Sequence, residues 1–131
     1  MLLSLMMLTA CDELTCNLMY APDTLIVTVQ DADPASLYAL SFTGDDGTTI
    51  SCAIVEAGTT AYCDDNDSAI GFDGTDLVVT LWAFVPDTID ATVSLDGASV
   101  LEWSFSPEYA EDEPNGEGCG FRRNGAETVS L

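Results

Sequence analysis

Five cysteines and 23 carboxylates carry nearly all the reactive chemistry of this 131-residue chain, which has no histidine and only two basic residues, Arg122 and Arg123. Without imidazole there is no Ser-His-Asp or Cys-His nucleophile and no imidazole-ligated metal. Without lysine there is no Schiff base. Paired carboxylates hydrolyse glycosides, and composition permits that. Yet so many acids make accidental pairs inevitable, and a small two-layer domain offers no deep cleft, so the sequence is read as that of a non-enzyme. Two arginines cannot neutralise a row of phosphates, which excludes nucleic acid as a partner. The net charge is −21, but 47% of residues are hydrophobic, enough to build a core and too many for a disordered acidic tail.

The acids gather in turns. The run 64–76, DDNDSAIGFDGTD, alternates oxygen ligands. Asp64, Asp65, Asp67, Asp73 and Asp76 are the one set that a hard cation such as Ca²⁺ would take, between neighbouring loops. The run fails the EF-hand pattern, lacking the central acid-Gly step and the closing Glu. The plainer expectation is a solvated acidic surface and no cofactor. Arg122 and Arg123 are expected to neutralise the acids of 111–117.

The cysteines speak about compartment. Residues 1–10, MLLSLMMLTA, form an uncharged apolar run too short to span a bilayer, with Cys11 directly after. Leu8-Thr9-Ala10-Cys11 resembles a bacterial lipobox, in which small residues suit the peptidase and the thiol accepts diacylglycerol. Lipidation of Cys11 leaves Cys16, Cys52, Cys63 and Cys119, an even number in an oxidising compartment. Cys52 and Cys63 are equidistant from Ala57-Gly58, so a hairpin turning there opposes them. Counting out from a two-residue turn makes them a hydrogen-bonded pair. Cys16 is then left for Cys119. The expected parts are a signal peptide (1–10), a lipidated tether (11–23) and a folded domain (24–131). The expected setting is the bacterial cell envelope, on the periplasmic side or the cell surface, with the lipid anchor as the membrane contact.

Elements that would position these groups are short alternating strands between Asp/Gly/Pro turns. They are expected over 24–30, 36–42, 48–55, 59–63, 76–84, 88–95, 99–106 and 126–131, with a further short one at 69–72. This is the pattern of a single antiparallel β-sandwich, Ig-like, of eight or nine strands. The stretch 107–125 reads as irregular. In 76–84 both faces are apolar, which marks a central strand, and Trp82 and Trp103 read as core aromatics. Between 88–95 and 99–106 parity selects the register. A two-residue Asp96-Gly97 turn would bring Glu102 inside beside Ala91. A three-residue Leu95-Asp96-Gly97 loop pairs Ala91 with Leu101 and Ile89 with Trp103, with Gly97 at the left-handed position.

The ending PNGEGCGFRRNGAETVSL (114–131), together with the lipobox and the strand before it, resembles a group of small lipoproteins from myxobacteria and related predatory or marine bacteria. Their tails share a Pro-Asn-Gly, Cys, Arg, Thr-Val pattern, which falls here on Pro114-Asn115-Gly116, Cys119, Arg122-Arg123 and Thr128-Val129. That family usually carries a second cysteine near the tail one; Phe121 and Arg122 stand there instead, which leaves Cys119 for Cys16. The resemblance implies an Ig-like or carboxypeptidase-regulatory-like sandwich and an envelope location, with no established activity. The expectation is therefore a non-catalytic, lipid-anchored envelope domain presenting an interaction surface to a protein or glycan. The alternative is a Ca²⁺-dependent adhesion or carbohydrate-binding module, which an exposed tryptophan beside carboxylates would favour.

Overall fold

The structure, a computed structural model, describes residues 22–56 and 60–131. Alternating apolar residues fold this chain into strands and, among the described residues, no helix: β1 (Thr24–Gln30), β2 (Tyr38–Gly44), β3 (Thr49–Glu56), β4 (Thr60–Cys63), β5 (Ala69–Asp73), β6 (Asp76–Trp82), β7 (Ile89–Leu95), β8 (Ala98–Phe105), β9 (Ala110–Asp112) and β10 (Arg122–Ser130). Accordingly, none of the described residues form a helix long and apolar enough to cross a membrane.

The protein is all-β. Its first sheet has the order β5-β6-β1-β10-β9 and its second β4-β3-β2-β7-β8. Each sheet turns one face into a common core. Leu25, Val27 and Val29 of β1 and Leu77, Val79 and Leu81 of β6 are fully buried from one side; Leu40 and Phe42 of β2 and Ile89 and Val93 of β7 meet them from the other. Period-two burial on every inner strand is the signature of a sheet with one covered face. The chain passes between sheets after β1, β4, β6 and β8.

Several details differ from the sequence expectation. First, the ladder is not wholly antiparallel: β10 lies parallel to β1, from Thr24↔Asn124 to Gln30↔Ser130. The path from β1 through the second sheet and back after β8 supplies the crossover that a parallel pair requires. The stretch 107–125 accordingly contains β9 and the start of β10. Secondly, β6 stops at Trp82. Ala83 adopts a positive φ of 56° and donates its N–H to Asp23 O, while Phe84 still drops into the core.

Thirdly, the β7–β8 hairpin pairs Ala91 with Trp103 and Ile89 with Phe105, not with Leu101 and Trp103. Asp96 and Gly97 both have positive φ, 51° and 90°, as a two-residue type I′ turn demands. A register shift between Val93 and Ser94 then leaves Val100 as an extra residue on β8. That bulge restores the parity the turn would have broken, so Leu101, Trp103 and Phe105 face inward and Glu102 faces out.

The β3–β4 hairpin uses the same device. Cys52 faces Cys63 and the ladder slips between Ile54 and Glu56. Asp64 N–H donates to Ser51 O, which makes 51/64 a hydrogen-bonded position and 52/63 a non-hydrogen-bonded one. The bulge thus reverses the parity counted from a two-residue turn. It also brings the Cα atoms to 4.0 Å, and the two sulfurs form a disulfide. Cys119 is disulfide-bonded too. Its expected partner Cys16, and Cys11 with the signal segment, lie outside the described residues.

Candidate functional site

The five acids singled out for a cation are not brought together. Asp64, Asp65 and Asp67 lie in the connection from β4 to β5, whereas Asp73 and Asp76 face each other across the β5–β6 turn. The length of β5 separates the two groups by about 13 Å. Asp65 is already engaged, its Oδ1 accepting from Ser68 N–H (3.1 Å) and its Oδ2 from Ser68 Oγ (2.7 Å). Ser68 Oγ in turn accepts from Trp82 N–H at 3.1 Å, and Asp64 Oδ1 accepts from Ser51 N–H at 3.1 Å. These carboxylates tie a turn to the neighbouring strands. Among the described residues no group of three or more Cys, Asp or Glu is placed to hold a metal ion.

The outer faces of the two sheets differ in where they carry charge. On the second sheet the row Asp64–Ser51–Ser41–Thr92–Glu102 runs across the strands, with Asp90 beside Ser104 in the next row. The small floor leaves a shallow trough of about 290 Å³, and Tyr62, 55% exposed, stands at its rim. On the first sheet the cross-strand rows are Trp82–Thr24–Asn124, Ala69–Thr80–Ile26–Ala126 and Gly71–Val78–Thr28–Thr128. None of these residues is charged, whereas the flanking rows of the same face carry Asp73 opposite Asp76 at one end and Arg122 opposite Asp112 at the other. Ile26 is 40% exposed.

A third feature is the open side where β8 faces β10. Register with Leu25, Val27 and Val29 places Gly125, Glu127 and Val129 on the inner face of β10. Glu127 is therefore a carboxylate turned inward between the sheets, and its Oε2 accepts from Trp103 Nε1 (3.2 Å). Trp103 is half-buried and stacks on Phe105 with ring centroids 5.8 Å apart. Neither tryptophan fits the exposed binding aromatic expected of a carbohydrate module, since Trp82 is half-buried as well.

Beside Glu127, Tyr109 lies over Gly125, where a Cβ would stand 2.9 Å from the ring and 3.2 Å from Leu25. The absence of a side chain at 125 is what admits the tyrosine. Its hydroxyl donates to Pro86 O at 2.7 Å. Burial pushes the phenol up to about 12; the guanidinium of Arg123, 5.9 Å from the ring centroid, opposes that rise, while Asp87, Asp45 and Asp23 add to it.

The two arginines part company. Arg122 grips Asp112 through two nitrogens (3.1 and 2.8 Å), which holds that carboxyl below the usual range and raises the guanidinium. Arg123 turns instead to Asp23, with 3.7 Å between charged atoms and 2.7 Å from its backbone N–H to Asp23 Oδ1. The expected neutralisation of 111–117 is met by Arg122 alone; the other arginine fastens the entry to β1. No protein-family model, curated protein or solved structure matches the chain.

Proposed function

We propose that the chain is a non-catalytic, lipid-anchored domain of the bacterial cell envelope that presents the outer face of its first sheet to a partner. The observation that carries this reading is a charge-free patch at the middle of that face, bounded by Asp73 and Asp76 at one end and by the Arg122–Asp112 pair at the other. A chain of −21 places no carboxylate in the three rows from Trp82 to Thr128, yet sets Asp64, Asp90 and Glu102 on the opposite face. An uncharged strip with a tryptophan and an exposed isoleucine is the surface least costly to desolvate against a partner.

The fold is read as an Ig-like sandwich. Support comes from the interleaving of antiparallel pairs, β1 with β6 in one layer and β2 with β7 in the other, the chain crossing between layers in Greek-key fashion. Anchorage through Cys11, the Cys16–Cys119 bond and kinship with the small myxobacterial lipoproteins belong to the same reading and rest on the sequence. A carbohydrate-binding module is the second reading, favoured by Tyr62 at the rim of the hydroxyl-lined trough on the second sheet.

Membrane fractionation tests the anchor. The wild type should sediment with membranes and take up labelled fatty acid, and Cys11→Ala should release it. A soluble wild type that retains residues 1–10 would overturn the assignment.

A further inference from the structure

β9 accompanies β10 over three residues only, Ala110 to Asp112 against Asn124 to Arg122. Had residues 106–109 stayed in the sheet, they would have continued that pairing. Instead Pro107 contributes no donor, and Tyr109 turns inward over Gly125 as the chain descends from β8. The outer edge of β10 from Ala126 to Ser130 is left without a neighbouring strand.

The parallel ladder shows which groups this exposes. Leu131 N–H donates to Gln30 O at 3.1 Å, so the odd-numbered residues of β10 turn their backbone groups toward β1. The even-numbered ones turn theirs away. Ala126, Thr128 and Ser130 therefore present three donors and three acceptors along about 13 Å of open edge. Among the described residues no backbone group bonds to them from that side. A groove of about 590 Å³ runs alongside, between 106–108 and 124–127.

We infer that this edge receives an extended peptide as an added strand, and that the peptide is basic at alternate positions. The inference rests on the interaction-surface reading and names the partner's chemistry. Strand addition supplies main-chain hydrogen bonds, and alternate side chains decide specificity. One set of peptide side chains would lie beside Ala126 and Thr128 on the outer face, within its charge-free patch. The other would lie on the side of Glu127, with Glu108 at the mouth of the groove. An inward-pointing charge on an edge strand deters indiscriminate pairing; Glu127 deters acidic and apolar strands while attracting a basic one. A second copy is the wrong occupant. Antiparallel pairing about Thr128 would set two Glu127 carboxylates diagonally across the ladder between two chains of −21 each.

The test is fluorescence anisotropy with the full chain in detergent and a labelled seven-residue peptide alternating Lys or Arg with Thr or Val. The basic peptide should bind saturably. Its Glu-substituted analogue should not bind, and an analogue N-methylated at alternate amides should bind at least about tenfold more weakly. Thr128→Pro removes an edge N–H at a position where proline is tolerated, and should weaken binding by a similar factor. Near-ultraviolet circular dichroism of the tryptophans reports whether that variant stays folded. Amide exchange supplies a measurement that needs no variant: the N–H groups of Ala126, Thr128 and Ser130 should slow when the basic peptide is added. Binding indifferent to N-methylation, with unchanged exchange at those amides, would mean that the acidic surface merely attracts cations, and the edge assignment would fall. Absence of binding would also overturn it, while leaving the interaction-surface reading to stand or fall on cross-linking at Ile26.

Discussion

The indole of Trp103 donates its Nε1–H to Glu127 Oε2 at 3.2 Å, joining the edge strand of the second sheet to the inner face of β10 in the first. On this open side that charge-assisted bond links the two layers, and Phe105 of the same strand stacks on the indole.

Removing the carboxylate should therefore loosen this side specifically. Glu127→Ala is expected to lower unfolding stability by about 1 kcal/mol, below the usual worth of a bond to a charged group because both partners are half-buried. Glu127→Gln keeps an acceptor and should lose less. Urea unfolding gives the stabilities, and a red shift of tryptophan emission in the alanine variant would report the freed indole.

Tyr109 makes a prediction about alkali. Its folded-state phenol is pushed up from 10 to about 12, so the folded chain retains a proton that the unfolded chain gives up. Its contribution is complete below pH 10 and is lost as pH rises toward 12. Tyr109→Phe should lose about 1 kcal/mol at neutral pH with the bond to Pro86 O, and its stability should fall less steeply between pH 10 and 12. Urea midpoints at pH 7 and 11, compared between the two proteins, check both points.

The Cys52–Cys63 bridge closes a short loop, with 11 residues of separation. Its removal by Cys52→Ala with Cys63→Ala should cost about 3 kcal/mol, chiefly by freeing the unfolded chain. Thermal unfolding of the double variant, beside wild type with and without reductant, measures it.

Gly97 sits at φ +90° with open space where a Cβ would go. Gly97→Ala should thus cost about 1 kcal/mol, a purely conformational penalty, without disturbing any neighbour. Denaturant unfolding should show a shifted midpoint and an unchanged slope.

These two hairpins also show how far the fold was legible. Apolar alternation marked nearly every strand, and the placement of Cys52 and Cys63 about a turn opposed them correctly. Each hairpin departs from expectation for one reason, a bulge: at Val100 on β8 it shifts the cross-strand partners by two residues while the inward face stays as expected, and between Ile54 and Glu56 on β3 it makes 52/63 a non-hydrogen-bonded pair. A bulge lets a favoured two-residue turn coexist with a buried face, so turn chemistry and core parity need not agree on a single loop length. The short β9 was missed because its residues Ala-Glu-Asp have little strand propensity and hold by pairing with β10.

The candidate site was less legible. Glu127 falls in the alternation of Gly125, Glu127 and Val129, but only the parallel register with β1 says which face turns inward. That Tyr109 needs Gly125 beneath it depends on a contact across 16 residues that no local pattern announces. Conversely, the acids of 64–76 looked like ligands because they are close in sequence, while β5 holds them at opposite ends.

The charge-free patch on the outer face of the first sheet is the centre of the functional account, and cross-linking in intact cells tests it most directly. A photoreactive p-benzoylphenylalanine would replace Ile26 on that face or Thr49 on the outer face of the second sheet. The account predicts a discrete adduct from position 26 and none from position 49. No adduct at 26, or equal adducts at both positions, would contradict it.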